Sequence, residues 1–172
     1  GSCFVEVLDF EGAEDIMRRA YVLAPESIQV LNGLALCLKN QGRLDEAREF
    51  SRKVLEQDPH QPHALVGNHL VLPVLHMDEE SIQKVRDDYA KGLETVSNLL
   101  VLDSSTRIIE AVDAITSTTN FCLHYQGRND LELQRSYAQL CERIMGTAFP
   151  DYMQPMERRN RESSDKLRVG FI

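Results

Sequence analysis

The feature that most constrains this chain is a self-similarity at a spacing of 34 residues. Ala13, Ala20 and Pro25 recur as Ala47, Val54 and Pro59. A repeat of that length is one supersecondary unit, unable to bury its apolar face alone, so it must stack on its neighbours. Within each copy, apolar residues recur at three- and four-residue steps, which is the helix period. Leu31, Leu34, Ala35 and Leu38 share one helix face, and small Ala35 and Ala47 allow two helices to approach closely. Gly42 suits the corner between two helices, and Pro25 and Pro59 each follow a helix-like run. The expected fold is all-α: an α-solenoid of about eight helices packed as antiparallel pairs.

The same period continues down the chain with changes. Pro62 suits the first turn of a helix from His63 to Leu72, which Pro73 must kink or end. Asp78 before Glu79-Glu80-Ser81 places acid at a helix N-terminus, where it complements the dipole. The stripe that follows, Ile82, Val85, Tyr89, Leu93, Val96 and Leu100, is longer than a repeat helix needs. Repeat register would put Ser81 where Ala13 and Ala47 stand, and Asp88 where Ala20 and Val54 stand. Residues 60–126 are therefore expected to be helical pairs of irregular length that continue the stack. Two more stripes, Ile108-Val112-Ile115-Thr119-Cys122 and Leu133-Tyr137-Leu140-Cys141-Ile144, complete the helical reading.

The stretch Leu31-Asn32-Gly33-Leu34-Ala35-Leu36-Cys37-Leu38, with Gly42, Ala47 and Pro59, resembles a tetratricopeptide repeat. The aromatic often found on that repeat's second helix is Met17 in one copy and Ser51 in the other. Further on, Asn120-Phe121-Cys122-Leu123-His124-Tyr125-Gln126-Gly127 precedes Asn129-Asp130-Leu131-Glu132-Leu133-Gln134, and Lys166-Leu167-Arg168-Val169-Gly170-Phe171 follows. This succession resembles bacterial O-GlcNAc-transferase-like (Spindly-type) glycosyltransferases. In that family a repeat superhelix passes through an N-F-x-L-x-Y-Q-G helix and an N-D-x-x-L-Q helix into the first strand of a catalytic domain. The resemblance implies a helical superhelix over 1–148, then over 149–172 a linker and the first strand of a catalytic domain this chain lacks.

It also implies a parent that moves a sugar from a nucleotide-sugar donor to Ser or Thr of a protein, with these 172 residues themselves non-catalytic and free of cofactor. No Gly-rich phosphate loop, paired-aspartate or nucleophile motif occurs in the chain. Eukaryotic members grip substrate backbone with a ladder of asparagines. Here the ladder positions fall on Gly33 and Gly67, with Asn32 and Asn68 one residue, about 100°, away around the helix. Ladder binding is not expected. The remaining candidates for a partner-binding concave face are Gln29, Asn32, Leu36, Lys39, Asn40, His63 and Val66. The alternative is a merely solvated face.

Net charge excludes other classes. At −8 the chain repels a phosphate backbone, and the mixed-sign run Glu157-Arg158-Arg159-Asn160-Arg161-Glu162 reads as a solvated linker. No apolar run approaches the roughly 20 residues that span a bilayer. A cytoplasmic protein that binds neither nucleic acid nor membrane is expected. Cys3, Cys37, Cys122 and Cys141 are scattered singly, so they read as small hydrophobes, with neither a zinc site nor a redox pair. His60 and His63, and His69 and His76, lack the third and fourth ligands that zinc requires. Two functions fit: the acceptor-recruiting scaffold of a protein O-glycosyltransferase, or a free-standing adaptor that binds a protein or peptide.

Overall fold

A computed structural model describes residues 9–154. Cys3, the run Glu157–Glu162 and the strand expected over Leu167–Ile172 lie outside the described residues. Those described form seven α-helices: α1 (Phe10–Leu23), α2 (Ile28–Asn40), α3 (Leu44–Gln57), α4 (Pro62–His69), α5 (Glu79–Leu99), α6 (Ser105–Thr116) and α7 (Leu131–Ala148). Two 3-10 turns, Phe121–Gln126 and Pro150–Met153, flank α7. Among the described residues there is no strand.

The 34-residue period is visible in the backbone. Start and end of α1 recur in α3, and α2 starts at Ile28 as α4 starts at Pro62. Caps repeat too: the Ser27 hydroxyl accepts from the Val30 amide, and the Gln61 side chain accepts from the Ala64 amide. Each satisfies an amide that a helix start leaves without a partner. Gly42, with φ of 79°, turns the corner from α2 to α3 in the left-handed region that glycine adopts at little cost.

Small residues set the spacing of the stack. Ala13, Ala35 and Ala47 are all buried where helices meet. A Cβ on Gly33 would stand 2.9 Å from the Met17 sulfur, and one on Gly67 would stand 3.0 Å from the Ser51 hydroxyl. Met17 and Ser51, like Gly33 and Gly67, are repeat equivalents, so both copies use one contact. Gly33 and Gly67 let each inner helix sit close against the helix that precedes it.

A charged node ties the first helix to the next corner. Glu14 is buried, and its carboxylate accepts from Arg18, Gln41 and Arg43, with the Arg43 ion pair at 2.8 Å. Gln41 also donates to the Phe10 carbonyl, so the end of α2 sits against the start of α1 and the pair runs antiparallel. At the equivalent place in the next copy, Arg48 donates to the Val71 carbonyl at 3.1 Å. Burial alone would raise the Glu14 carboxyl, but the Gln41, Arg18 and Arg43 hydrogen bonds together hold it below its ordinary value.

The second half departs from the repeat. α4 ends at His69, three residues short of the helix expected from the sequence, because Pro73 forbids a further turn and forces extended backbone before it. Leu70, Val71 and Leu72 are nevertheless buried, Leu70 and Leu72 in the main core. α5 begins with a capping box, in which the Asp78 side chain accepts from the Ser81 amide and Ser81 accepts from the Asp78 amide. Ser81 is therefore a capping residue, not a packing counterpart of Ala47, and Asp88 is exposed. The close approach moves to Gly92, where a Cβ would collide with the His69 carbonyl.

Helices α5 and α6 barely touch, which corrects the expectation that residues 60–126 simply continue the stack as pairs. Each packs instead against α4 and α7. The four enclose the main core, built on Leu65, Leu70, Leu93, Val96, Ile115, Leu123, Leu140 and Ile144. The stripe Ile108-Val112-Ile115-Thr119-Cys122 is broken, because α6 ends at Thr116 and Cys122 lies in a 3-10 turn. That turn takes the place of the α-helix expected over Asn120–Gly127. Gly127 closes it at φ of 63°. The count of about eight α-helices becomes seven among the described residues.

Two measurements test this packing. Ala47→Leu should overfill the α2–α3 contact and cost about 1–3 kcal/mol in urea unfolding, whereas a wild-type midpoint would mean that the close approach is absent. Glu14 has a lowered folded pKa, so its contribution is complete above the unfolded value near ~4.3 and is lost as pH falls through the folded value. Glu14→Gln should be less stable than wild type at pH 7. The gap should close on acidification below about pH 5.

Candidate functional site

The inner helices α2, α4 and α6 line a groove of about 840 Å³. Its walls hold all seven candidates named from the repeat register: Gln29, Asn32, Leu36, Lys39 and Asn40 from α2, with His63 and Val66 from α4. They are not equivalent. Val66 is buried and forms floor, while Leu36 is half-buried and Gln29 is exposed. Asn40 spends its amide on the Leu36 carbonyl at 2.9 Å. Gln29 and Asn32 make no side-chain hydrogen bond to any described residue. Asn32 thus reaches the groove despite standing beside the ladder position, whereas Asn68 turns to the His69 ring at 3.1 Å.

Helix α6 supplies a wall that the sequence reading did not include. Glu110, Asp113, Ala114 and Ser117 recur at helical steps on one face and line the groove. Two contacts hold that wall in place. The Lys39 ammonium donates to the Ser117 carbonyl at 2.9 Å, at the C-terminal end of α6 where a cation is favoured. His63 Nε2 stands 3.5 Å from an Asp113 carboxylate oxygen. Burial pulls the Lys39 ammonium below its ordinary value, and Asp113 opposes that shift. Only the knowledge that α6 packs on α4 could have brought Glu110 and Asp113 into the site, since their periodicity alone reads as a solvated face.

The motif that precedes α7 is a joint. Arg86, buried in α5, donates to Asp130 at 2.6 Å, Gln126 at 3.0 Å and the Asn129 carbonyl at 2.7 Å. Asn120 donates to Gln134 at 2.8 Å, and His124 faces the second Asp130 oxygen at 3.3 Å. Gln126, Asp130 and Gln134 therefore face inward and are used, while Phe121, Tyr125 and Leu131 are exposed. Beside this joint the Tyr89 hydroxyl and the Gln134 amide nitrogen are buried without a partner among the described residues. A charged Arg86 within an apolar stripe is the signal that a purely apolar count overlooks. Cys37 is buried, Cys122 and Cys141 are partly buried, and burial pushes the Cys37 and Cys141 thiols up.

The other histidines are distributed among separate contacts. His60 Nδ1 lies 2.7 Å from the Leu99 carbonyl, and His76 lies 3.2 Å from the Gln126 amide. Among the described residues no three His, Cys, Asp or Glu side chains gather as metal ligands. No described helix is long and apolar enough to cross a membrane.

Residues 9–67 match the tetratricopeptide repeat family. That segment is of the tetratricopeptide repeat type. The match covers α1 to α3 and most of α4, the part in which structure and sequence share the 34-residue period. Protein POLLENLESS 3-LIKE 2 of Arabidopsis thaliana is 48% identical over 46 residues, which are 27% of this chain. That segment is 10% of the plant protein, so the chain spans only a small part of the curated relative it matches. No solved structure matches the chain. Tetratricopeptide repeats build scaffolds for protein–protein interaction, and that is the general role of this region.

The Arg86 joint can be tested separately from the groove. Removing one partner of a buried pair leaves the other charge uncompensated. Arg86→Met should therefore cost about 3–5 kcal/mol in urea unfolding, and adding Asp130→Asn should recover part of it. An additive double variant would mean that the two side chains do not act as a pair.

Proposed function

We propose that the groove between α2, α4 and α6 binds an extended segment of a partner protein, and that this region is the acceptor-recruiting scaffold of a nucleotide-sugar-dependent protein O-glycosyltransferase. One observation carries the first part. Seven residues chosen from repeat register alone all line one groove with a partly apolar floor and two amides, Gln29 and Asn32, that bond to no described residue. An extended peptide has a hydrogen-bonding group at each residue and side chains on alternate sides, and such a surface offers partners for both.

Support for the second part is the order of sequence motifs. The Asn120–Gln126 and Asn129–Gln134 segments stand where the family places its passage to the catalytic domain. Lys166-Leu167-Arg168-Val169-Gly170-Phe171 follows in the family's order. Residues 1–148 are then the scaffold and 149–172 the lead to catalysis. Acceptor recruitment needs only moderate affinity, because a tethered catalytic site acts at high local concentration on whatever the groove holds.

The test has two arms. Leu36→Arg places a charge on the groove wall and should weaken capture of peptides without lowering the melting temperature appreciably. The gene product that includes residues beyond 172 should transfer label from a uridine- or guanosine-diphosphate sugar to protein Ser or Thr, and deletion of 9–154 should suppress transfer to protein more than donor hydrolysis. The 172-residue chain should not bind either donor in calorimetric titration, because it carries no diphosphate-holding motif. Peptide capture without sugar transfer by the longer product would favour the adaptor reading.

A further inference from the structure

The groove's electrostatics are unbalanced in one direction. Among the described residues Lys39 is the one Lys or Arg that lines it, and its ammonium gives one of its three hydrogens to the Ser117 carbonyl. Against it stand two carboxylates on α6, one helical turn apart. Glu110 is half-buried and makes no ion pair or hydrogen bond with any described residue. Asp113 meets the His63 ring at 3.5 Å and lies near the Lys39 ammonium, and its side chain is 72% exposed. The side-chain amides of Gln29 and Asn32, also in the groove, make no hydrogen bond to any described residue. The groove therefore offers two carboxylates with room for donors, together with amides that can both give and accept hydrogen bonds.

We propose that the groove selects an extended segment bearing a lysine or arginine, with the cationic head received between Glu110 and Asp113 and the segment's backbone held by Gln29 and Asn32. The inference rests on the reading of the groove as a peptide site and adds the chemistry of the occupant. An acidic segment would meet Glu110 across a partly desolvated wall, and like-charge juxtaposition there opposes binding. A neutral segment would leave Glu110 half-buried with nothing in exchange for its lost water. A basic segment meets both demands. The chain's net charge of −8 also draws a cation toward it from a distance. The Lys39 and His63 contacts keep α6 in position, so the carboxylates face a formed groove and need not be ordered on binding.

The probe is a positional-scanning library of fluorescein-labelled, end-capped decapeptides, titrated by anisotropy against the 172-residue chain. Arg or Lys should be preferred over norleucine at one position by about tenfold or more, with Glu weaker than norleucine. Raising salt should narrow the gap. The Glu110→Gln/Asp113→Asn double variant should abolish the preference, so that Arg and norleucine peptides bind alike. Leu36→Arg should weaken every peptide. Peptides that lose affinity with Leu36→Arg, yet bind equally with Arg or norleucine, would overturn the cationic selection and leave the groove reading intact. If no decapeptide binds, the groove reading fails and this inference fails with it.

Discussion

The second half of the molecule depends on where α4 stops. Pro73 bars another helical turn, so α4 ends at His69 and leaves its last carbonyls exposed to an approaching helix. Gly92 of α5 comes in against the His69 carbonyl, a contact that only a residue without a Cβ allows. α5 is thereby committed to the end of α4, and the flank of α4 remains open. α6 takes that flank, and α7 closes the cluster from the far side. The groove's third wall is a consequence. In an uninterrupted stack the next helix would pair with α5, and Glu110 and Asp113 would face elsewhere.

Polar residues at the joints do a different job from the apolar core. Leucine, isoleucine and valine supply the driving force for burial, but they are permissive about register, since neighbouring apolar groups substitute for one another. Glu14 and Arg86 are not permissive. Each is buried with a defined set of partners, and a slipped register would leave a charge uncompensated. Glu14 sits where the first helix meets the α2–α3 corner, and Arg86 where α5 meets the turn before α7. One joint fixes the repeat stack, and the other fixes the direction in which α7 leaves.

The repeat half was readable in the residues because its determinants are local. Helix period, small residues at contacts, capping side chains and Gly42 all act within one 34-residue unit, and stacking copies multiplies the signal. That is why positions taken from repeat register, such as Asn32, Leu36 and His63, reach one groove. The later half was less legible. The run Asn120–Gly127 has helix-compatible spacing, yet it forms a 3-10 turn held by Asn120–Gln134 and Arg86–Gln126 contacts between segments far apart in the chain. Likewise Ser81 fits the period as a packing residue but serves as a cap, because Asp78 has already started the helix.

The sequence by itself determined the all-helical repeat fold, the corner at Gly42, the close contacts at Ala13, Ala35 and Ala47, and the residues that α2 and α4 present to the groove. These follow from local chemistry repeated at a fixed interval. The tertiary structure alone decided that α5 and α6 would part, that α6 would wall the groove with Glu110 and Asp113, and that Arg86 would be buried rather than solvated. Each of these depends on which of two available neighbours a helix packs against. That choice is made by the sum of long-range contacts around the end of α4, and no single stretch of chain contains it.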